Sequence, residues 1–225
     1  MTESTERPTP PKTSRRGIII GVTVVVVFIA IVAGTVVWAL GRSSAPRADP
    51  AATRAAFASA MKKADVDADY PANAPIDLVS VEASGSHPFS ATFTGEELTA
   101  LLATFSYTYT DNGTSATLER ADISVVGAGT MGLRGGVTAD GKSYSAVVEA
   151  PVTMRFGSVE SPGATSASVE GFSLSGGQLD QVTTAMLDYV NAYLAAAPGL
   201  RIGSARVIAD GVVVTGTAPD RLEYP

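Results

Sequence analysis

From Gly17 to Leu40 the chain carries no charged residue, and its apolar positions run on without the alternation of a strand: Ile18-Ile19-Ile20, Val24 to Val27, Phe28 and Trp38-Ala39-Leu40. A bilayer core about 30 Å thick needs roughly 20 apolar helical residues, so this run predicts a transmembrane helix over 17–40. It is longer than the apolar stretch of about 7–15 residues in a secretory signal, and it reads as an uncleaved signal-anchor. Residues 1–16, with three prolines and many Ser and Thr, lack any apolar period and read as a disordered tail. Residues 41–74 read as a linker and a stalk helix. Asp49-Pro50 has the form of an N-cap followed by proline in the first helical position, opening an Ala-rich helix to about Ala64.

Over 75–225 the pattern turns largely to strands, at Leu78 to Val81, Phe89 to Phe93, Phe105 to Tyr109, Ala116 to Val126 and Tyr144 to Phe156. Asn112-Gly113, Asp140-Gly141 and Asp210-Gly211 suit type I′ hairpin turns, which need positive φ at both central residues. Gly132-Leu133-Arg134-Gly135-Gly136 reads as a bend or bulge, since no Gly-Lys-Ser/Thr closes a phosphate loop there.

Two helices interrupt the strands. Thr94 and Glu97 form a capping-box pattern with Phe93 stapled to Leu98, and Ser175, Gln178, Leu174 and Leu179 repeat that plan. The first helix is short, with Leu98, Leu101, Leu102 and Phe105 on one face. The second runs to about Ala197, ahead of Pro198-Gly199, and carries Leu179, Val182, Met186, Tyr189, Val190, Tyr193 and Leu194 on one stripe. A helix about 33 Å long among antiparallel strands predicts an α+β class: a single N-terminal transmembrane helix, then a curved antiparallel sheet wrapped around one long helix, plus a short capped helix.

Charge adds direction to the anchor. Arg7, Lys12, Arg15 and Arg16 precede the span, and Arg42, Arg47 and Arg54 follow it, which predicts a single-pass cell-membrane protein with a cytoplasmic N-terminus and an extracytoplasmic C-terminal domain. Residues 1–49 hold six basic and three acidic groups, net +3, and residues 50–225 hold ten and nineteen, net −9. An acidic domain lacks the Lys and Arg that neutralise phosphates, which argues against a nucleic-acid partner. With no cysteine there is no disulfide framework, thiolate metal site or Cys nucleophile.

Candidate chemistry is sparse. The single histidine, His87, lies in a turn-like Gly-Ser-His-Pro stretch and reads as an exposed loop residue; no Gly-x-Ser-x-Gly elbow presents a nucleophilic serine. Glu96 and Glu97 point about 100° apart on a helix, and a helix N-terminus accounts for both. Asp65, Asp67 and Asp69 alternate like the first ligands of a calcium loop, but Tyr70 and Ile76 stand where an EF-hand needs Gly and Glu. The chain therefore reads as non-enzymatic, with no cofactor and no metal site. Tyr107 and Tyr109 share one side of a strand. Either they pack in the core against the long helix, or they line, with Met186, Tyr189 and Tyr193, an apolar groove that admits a lipid chain.

An N-terminal anchor is followed by Ala91-Thr92-Phe93-Thr94-Gly95-Glu96-Glu97-Leu98-Thr99-Ala100-Leu101-Leu102, alternating strands, a long helix and a closing segment Gly211-Val212-Val213-Val214-Thr215-Gly216-Thr217-Ala218-Pro219. In this order of parts residues 75–225 resemble the LmeA-type and YpmS-type families of membrane-anchored bacterial envelope proteins. The resemblance implies a curved sheet around a long helix and a phospholipid or glycolipid ligand. It carries no catalytic residue. The alternative from another class is a protein-interaction module of an envelope assembly, docking a partner on a sheet edge or acidic face over a solid core.

Overall fold

The computed structural model describes residues 49–71, 76–111, 114–139 and 141–224, and at 109–111, 114 and 139 it describes the backbone alone. The expected transmembrane helix over 17–40 lies outside the described residues, and no helix among those described is long and apolar enough to cross a membrane.

The first helix, α1 (Pro50–Lys63), starts as its sequence directs: the Asp49 carboxylate accepts the Ala51 N–H at 3.0 Å and Pro50 takes a position whose N–H would be unpaired anyway. It is packed into the domain. Phe57 and Ala60 are buried, and Phe57 meets Tyr70 edge-on with ring centroids 5.1 Å apart. After it, β1 (Asp67–Asp69) pairs parallel with β14 (Arg221–Glu223), whose other edge pairs antiparallel with β2 (Glu82–Ser84). The expected strand over 78–81 is a series of bends, because Asp77 turns the chain by accepting from the Val79 N–H and the Ser80 hydroxyl.

A second sheet has the order β12-β13-β3, all antiparallel, from β3 (His87–Phe93), β12 (Arg201–Ile208) and β13 (Gly211–Ala218). The β12–β13 turn falls on Ala209-Asp210, one residue before the expected pair, and Gly211 is the first strand residue. A Cβ at Gly211 would collide with the Phe93 carbonyl of β3, so glycine is needed there for close approach of backbones.

The largest sheet has six antiparallel strands in the order β11-β10-β7-β6-β5-β4. They are β4 (Ser106–Asp111), β5 (Thr114–Gly127), β6 (Thr130–Ala139), β7 (Lys142–Pro151), β10 (Ser166–Val169) and β11 (Phe172–Ser173). The β4–β5 and β6–β7 ladders pair up to Asp111↔Thr114 and Ala139↔Lys142, and residues 112, 113 and 140 of the expected turns lie outside the described residues. The bulge expected in the Gly132–Gly136 stretch belongs to the neighbouring strand: Arg120 and Ala121 of β5 together oppose Gly135, and Arg120 takes φ 55. A small two-stranded sheet, β8 (Thr153–Arg155) with β9 (Ser158–Glu160), follows β7.

The helix α2 (Gly95–Leu101) has the predicted capping box, with the Thr94 hydroxyl accepting from Glu97 N–H and the Glu97 carboxylate accepting from Thr94 N–H. The long helix α3 (Gly177–Ala196) does not repeat it. Its N-cap is Gly176, at φ 55, and no side chain caps it, so Ser175 lacks the expected role.

These facts correct the α+β expectation. Fourteen strands in four sheets hold nearly half of the structure against three helices among the described residues, so the fold is mostly β, and there is no single sheet wrapped round α3. The capped, Ala-rich helices are conspicuous in sequence, whereas strands of two to four residues such as β1, β8, β9, β10 and β11 are too short to display an alternation.

Candidate functional site

The inner faces of these elements do not close on one another. Between them lies a cavity of about 220 Å³. Its walls are Phe89 and Phe93 of β3, Val212 and Val214 of β13, Ile202, Ala205 and Val207 of β12, Met131 and Leu133 of β6, and Val148 and Ala150 of β7. Leu98 and Leu101 of α2 add to it, with Met186, Leu187, Val190, Tyr193 and Leu194 along α3. Alternation explains the strands' share: β7 buries Ala146, Val148 and Ala150 and turns the intervening residues outward. On β12 a register shift at Gly203 places Ile202 and Ala205 on the same cavity side, though they are three residues apart.

Among the described residues no charged side chain lines the cavity, and the polar side chains that do are Thr153, Thr183 and Tyr193. The Thr183 hydroxyl donates to the Leu179 carbonyl at 2.7 Å within its own helix turn. The Tyr193 hydroxyl is buried with no hydrogen-bond partner among the described residues. Met61, Met131, Met154 and Met186, four of the five methionines of the chain, all line the cavity. Unbranched, polarizable thioethers give a wall that reshapes at low cost.

Of the five residues singled out from sequence, Met186 and Tyr193 meet on the cavity. Met186 also reaches the flat surface at Gly135, where an added Cβ would lie 3.8 Å from its Cε. Tyr189 is fully buried and outside the lining, its ring 5.2 Å from that of Phe105 and its hydroxyl donating to the Phe105 carbonyl at 3.0 Å. Burial pushes both phenols, Tyr189 and Tyr193, well up from their ordinary value. Tyr107 is half-buried on β4, opposite Leu118, and is not in the lining. For Tyr109 only the strand position opposite Ala116 is described.

Three polar devices hold the walls. Asn191 of α3 uses both ends of its amide on one residue of β9, accepting the Val159 N–H at 2.7 Å and donating to the Val159 carbonyl at 3.0 Å. It thus acts as a further strand toward the small hairpin, whose Met154 and Val159 face the cavity. Glu97, nearly fully buried, ties α2 to α1: it accepts from Lys63 Nζ at 2.7 Å and from the Ser59 hydroxyl at 2.5 Å, besides capping its own helix. Burial pushes the Glu97 carboxyl up, but the bonds from Lys63, Ser59 and Thr94 outweigh it and leave the pKa below its ordinary value.

His87 is the third device, and its place corrects the loop reading. It opens β3, with Nδ1 2.8 Å from Asp220 Oδ1 and Nε2 2.9 Å from the Ala64 carbonyl. A carbonyl and a carboxylate both accept, so only the imidazolium donates to the two at once. The Ala64 carbonyl and then the Asp220 carboxylate raise its pKa accordingly. Ala64 and Pro219, the neighbour of Asp220, both line the cavity, so this bridge joins two parts of its rim.

The methionine set and Asn191 were not singled out from sequence. The scatter of four internal methionines was a signal available for the first, while a polar residue on the outer face of an amphipathic helix gives none for the second. Comparison of the chain with protein-family models, curated proteins and solved structures returns no match.

Proposed function

We propose that this chain is a membrane-anchored, extracytoplasmic lipid-binding protein of the bacterial cell envelope, non-enzymatic, held at the bilayer by residues 17–40, with the acyl part of a phospholipid or glycolipid in the cavity. The observation that carries the reading is the uncharged, methionine-rich cavity along α3. An apolar cavity of about 150 Å³ already stays dry and admits benzene, so 220 Å³ without a charged wall favours an apolar guest over water. The volume is below the roughly 300 Å³ at which sites for whole drug-sized ligands begin, which suits a stretch of acyl chain with its headgroup left outside. The same cavity weighs against the solid-core interaction module.

An acyl chain that leaves a bilayer for this cavity exchanges one apolar medium for another. Loading is then nearly balanced and reversible, as a carrier needs, since the gain of about 0.8 kcal/mol per methylene applies only to chains taken from water. Native mass spectrometry of the full chain, released from nanodiscs, tests the reading. The expected spectrum contains protein with one retained lipid, and bare protein in repeated preparations overturns it.

A further inference from the structure

The β8–β9 hairpin carries a side chain that nothing among the described residues uses. Arg155 pairs with Ser158, leaving a two-residue turn of Phe156 at φ 52 and Gly157 at φ 80. Positive φ at both positions is the type I′ geometry, which favours Asn or Asp before Gly and strains a bulky aromatic. The Phe156 ring is 98% exposed. An equivalent turn at Glu170-Gly171, φ 51 and 81, has an internal reason for its residue, because the Glu170 carboxylate accepts the Ser145 N–H. Phe156 has strain and exposure together and, among the described residues, no contact that offsets either.

The strands behind this tip are part of the cavity: Met154 and Val159 are cross-strand partners and both line it, and Asn191 fixes β9 to α3. We propose that the β8–β9 hairpin is the lip by which the cavity meets the lipid bilayer, with the Phe156 ring inserted among the lipids and Met154 and Val159 as the first surface a departing acyl chain meets. The proposal rests on the lipid-binding reading above. An aromatic ring at a turn tip gains from transfer out of water, and the exposed Arg155 beside it keeps its charged end at headgroup level. Glu160 offsets Arg155 within the hairpin and the domain as a whole is acidic, so the contact is apolar and needs no anionic lipid.

The test uses the full chain in vesicles of phosphatidylcholine, with Trp38→Phe so that an introduced tryptophan is the only one. Phe156→Trp is compared with Lys142→Trp, which lies at the far end of β7 from the hairpin, with acyl chains brominated or not. The expected result is strong quenching at 156, unchanged by salt, and none at 142. Equal and weak quenching at both positions overturns the proposal, even for protein that retains lipid in native mass spectrometry. Quenching at 156 in protein that retains no lipid leaves the bilayer contact standing and removes the lipid-binding reading instead. Phe156→Asn supplies a second measure, since Asn-Gly suits the turn and the fold is kept: transfer of fluorescent phospholipid between vesicles should slow severalfold, and an unchanged rate overturns the role of the ring.

Discussion

Removing the same atom from two neighbouring tyrosines of α3 should have opposite effects. Tyr189 and Tyr193 are both buried and both pack against Phe105, with ring centroids 5.2 and 5.4 Å away. They differ at the hydroxyl: that of Tyr189 donates to the Phe105 carbonyl, and that of Tyr193 has no partner among the described residues. Tyr189→Phe gives up a hydrogen bond and strands a carbonyl, a loss of about 1–2 kcal/mol, whereas Tyr193→Phe relieves an unpaired buried group and should gain about 1 kcal/mol. At roughly 2–4 °C per kcal/mol for a domain of this size, the two variants should melt about 5–10 °C apart on either side of the parent. Thermal unfolding of the full chain in nanodiscs, followed by circular dichroism in the β region, reads the difference. If Tyr193→Phe loses as much stability as Tyr189→Phe, the Tyr193 hydroxyl has a partner and the description of that side of the cavity is wrong.

Met186→Asp places a carboxylate in the uncharged wall and should cost about 3 kcal/mol or more; denaturation at unchanged midpoint would show that this face of α3 is not interior. Glu97→Ala should cost about 2 kcal/mol, less than the ~3–5 of a fully buried pair because the Lys63 side chain is 37% exposed. The Glu97 pKa is depressed, so its contribution is present above its ordinary value near 4.5 and is lost as pH falls through the folded value; Glu97→Gln should flatten the acid limb of a stability profile. His87 has the opposite sign. With its pKa raised, its contribution is complete below about 6.5 and is lost as pH rises through the folded value, so His87→Gln should remove stability at pH 5.5 and little at pH 9, as melts across that range will report.

What could be read from the residues follows from how local each signal is. Asp49-Pro50, the Thr94–Glu97 box and Pro198-Gly199 act within one helical turn, and the structure places helix ends at all three. Ser175 looked equivalent to Thr94, but Gly176 at positive φ turned the chain and took the cap position. The strands of β5, β6 and β7 are long enough to show their period, while β8 and β9 have three residues each and are held by pairing with one another and by Asn191. The tyrosines illustrate the limit for the site. A helical stripe tells which residues are apolar together, yet Tyr189 and Tyr193, four apart, differ in whether they face Phe105 alone or the cavity as well. That choice is set by β-sheets distant in sequence, as is the convergence of four methionines from four different parts of the chain.

The claim that the cavity holds an acyl chain is tested most directly by photo-cross-linking from within it. A phospholipid with a diazirine on its acyl chain is incorporated in membranes carrying the full-length protein, irradiated, and the adducts are located by peptide mass spectrometry. Adducts are expected on the α3 peptide around Met186 and Val190 and on Met154, and are expected to be lost in Val190→Trp, where the indole fills the space. Adducts confined to residues 17–40, or α3 adducts that persist in Val190→Trp, would contradict the claim.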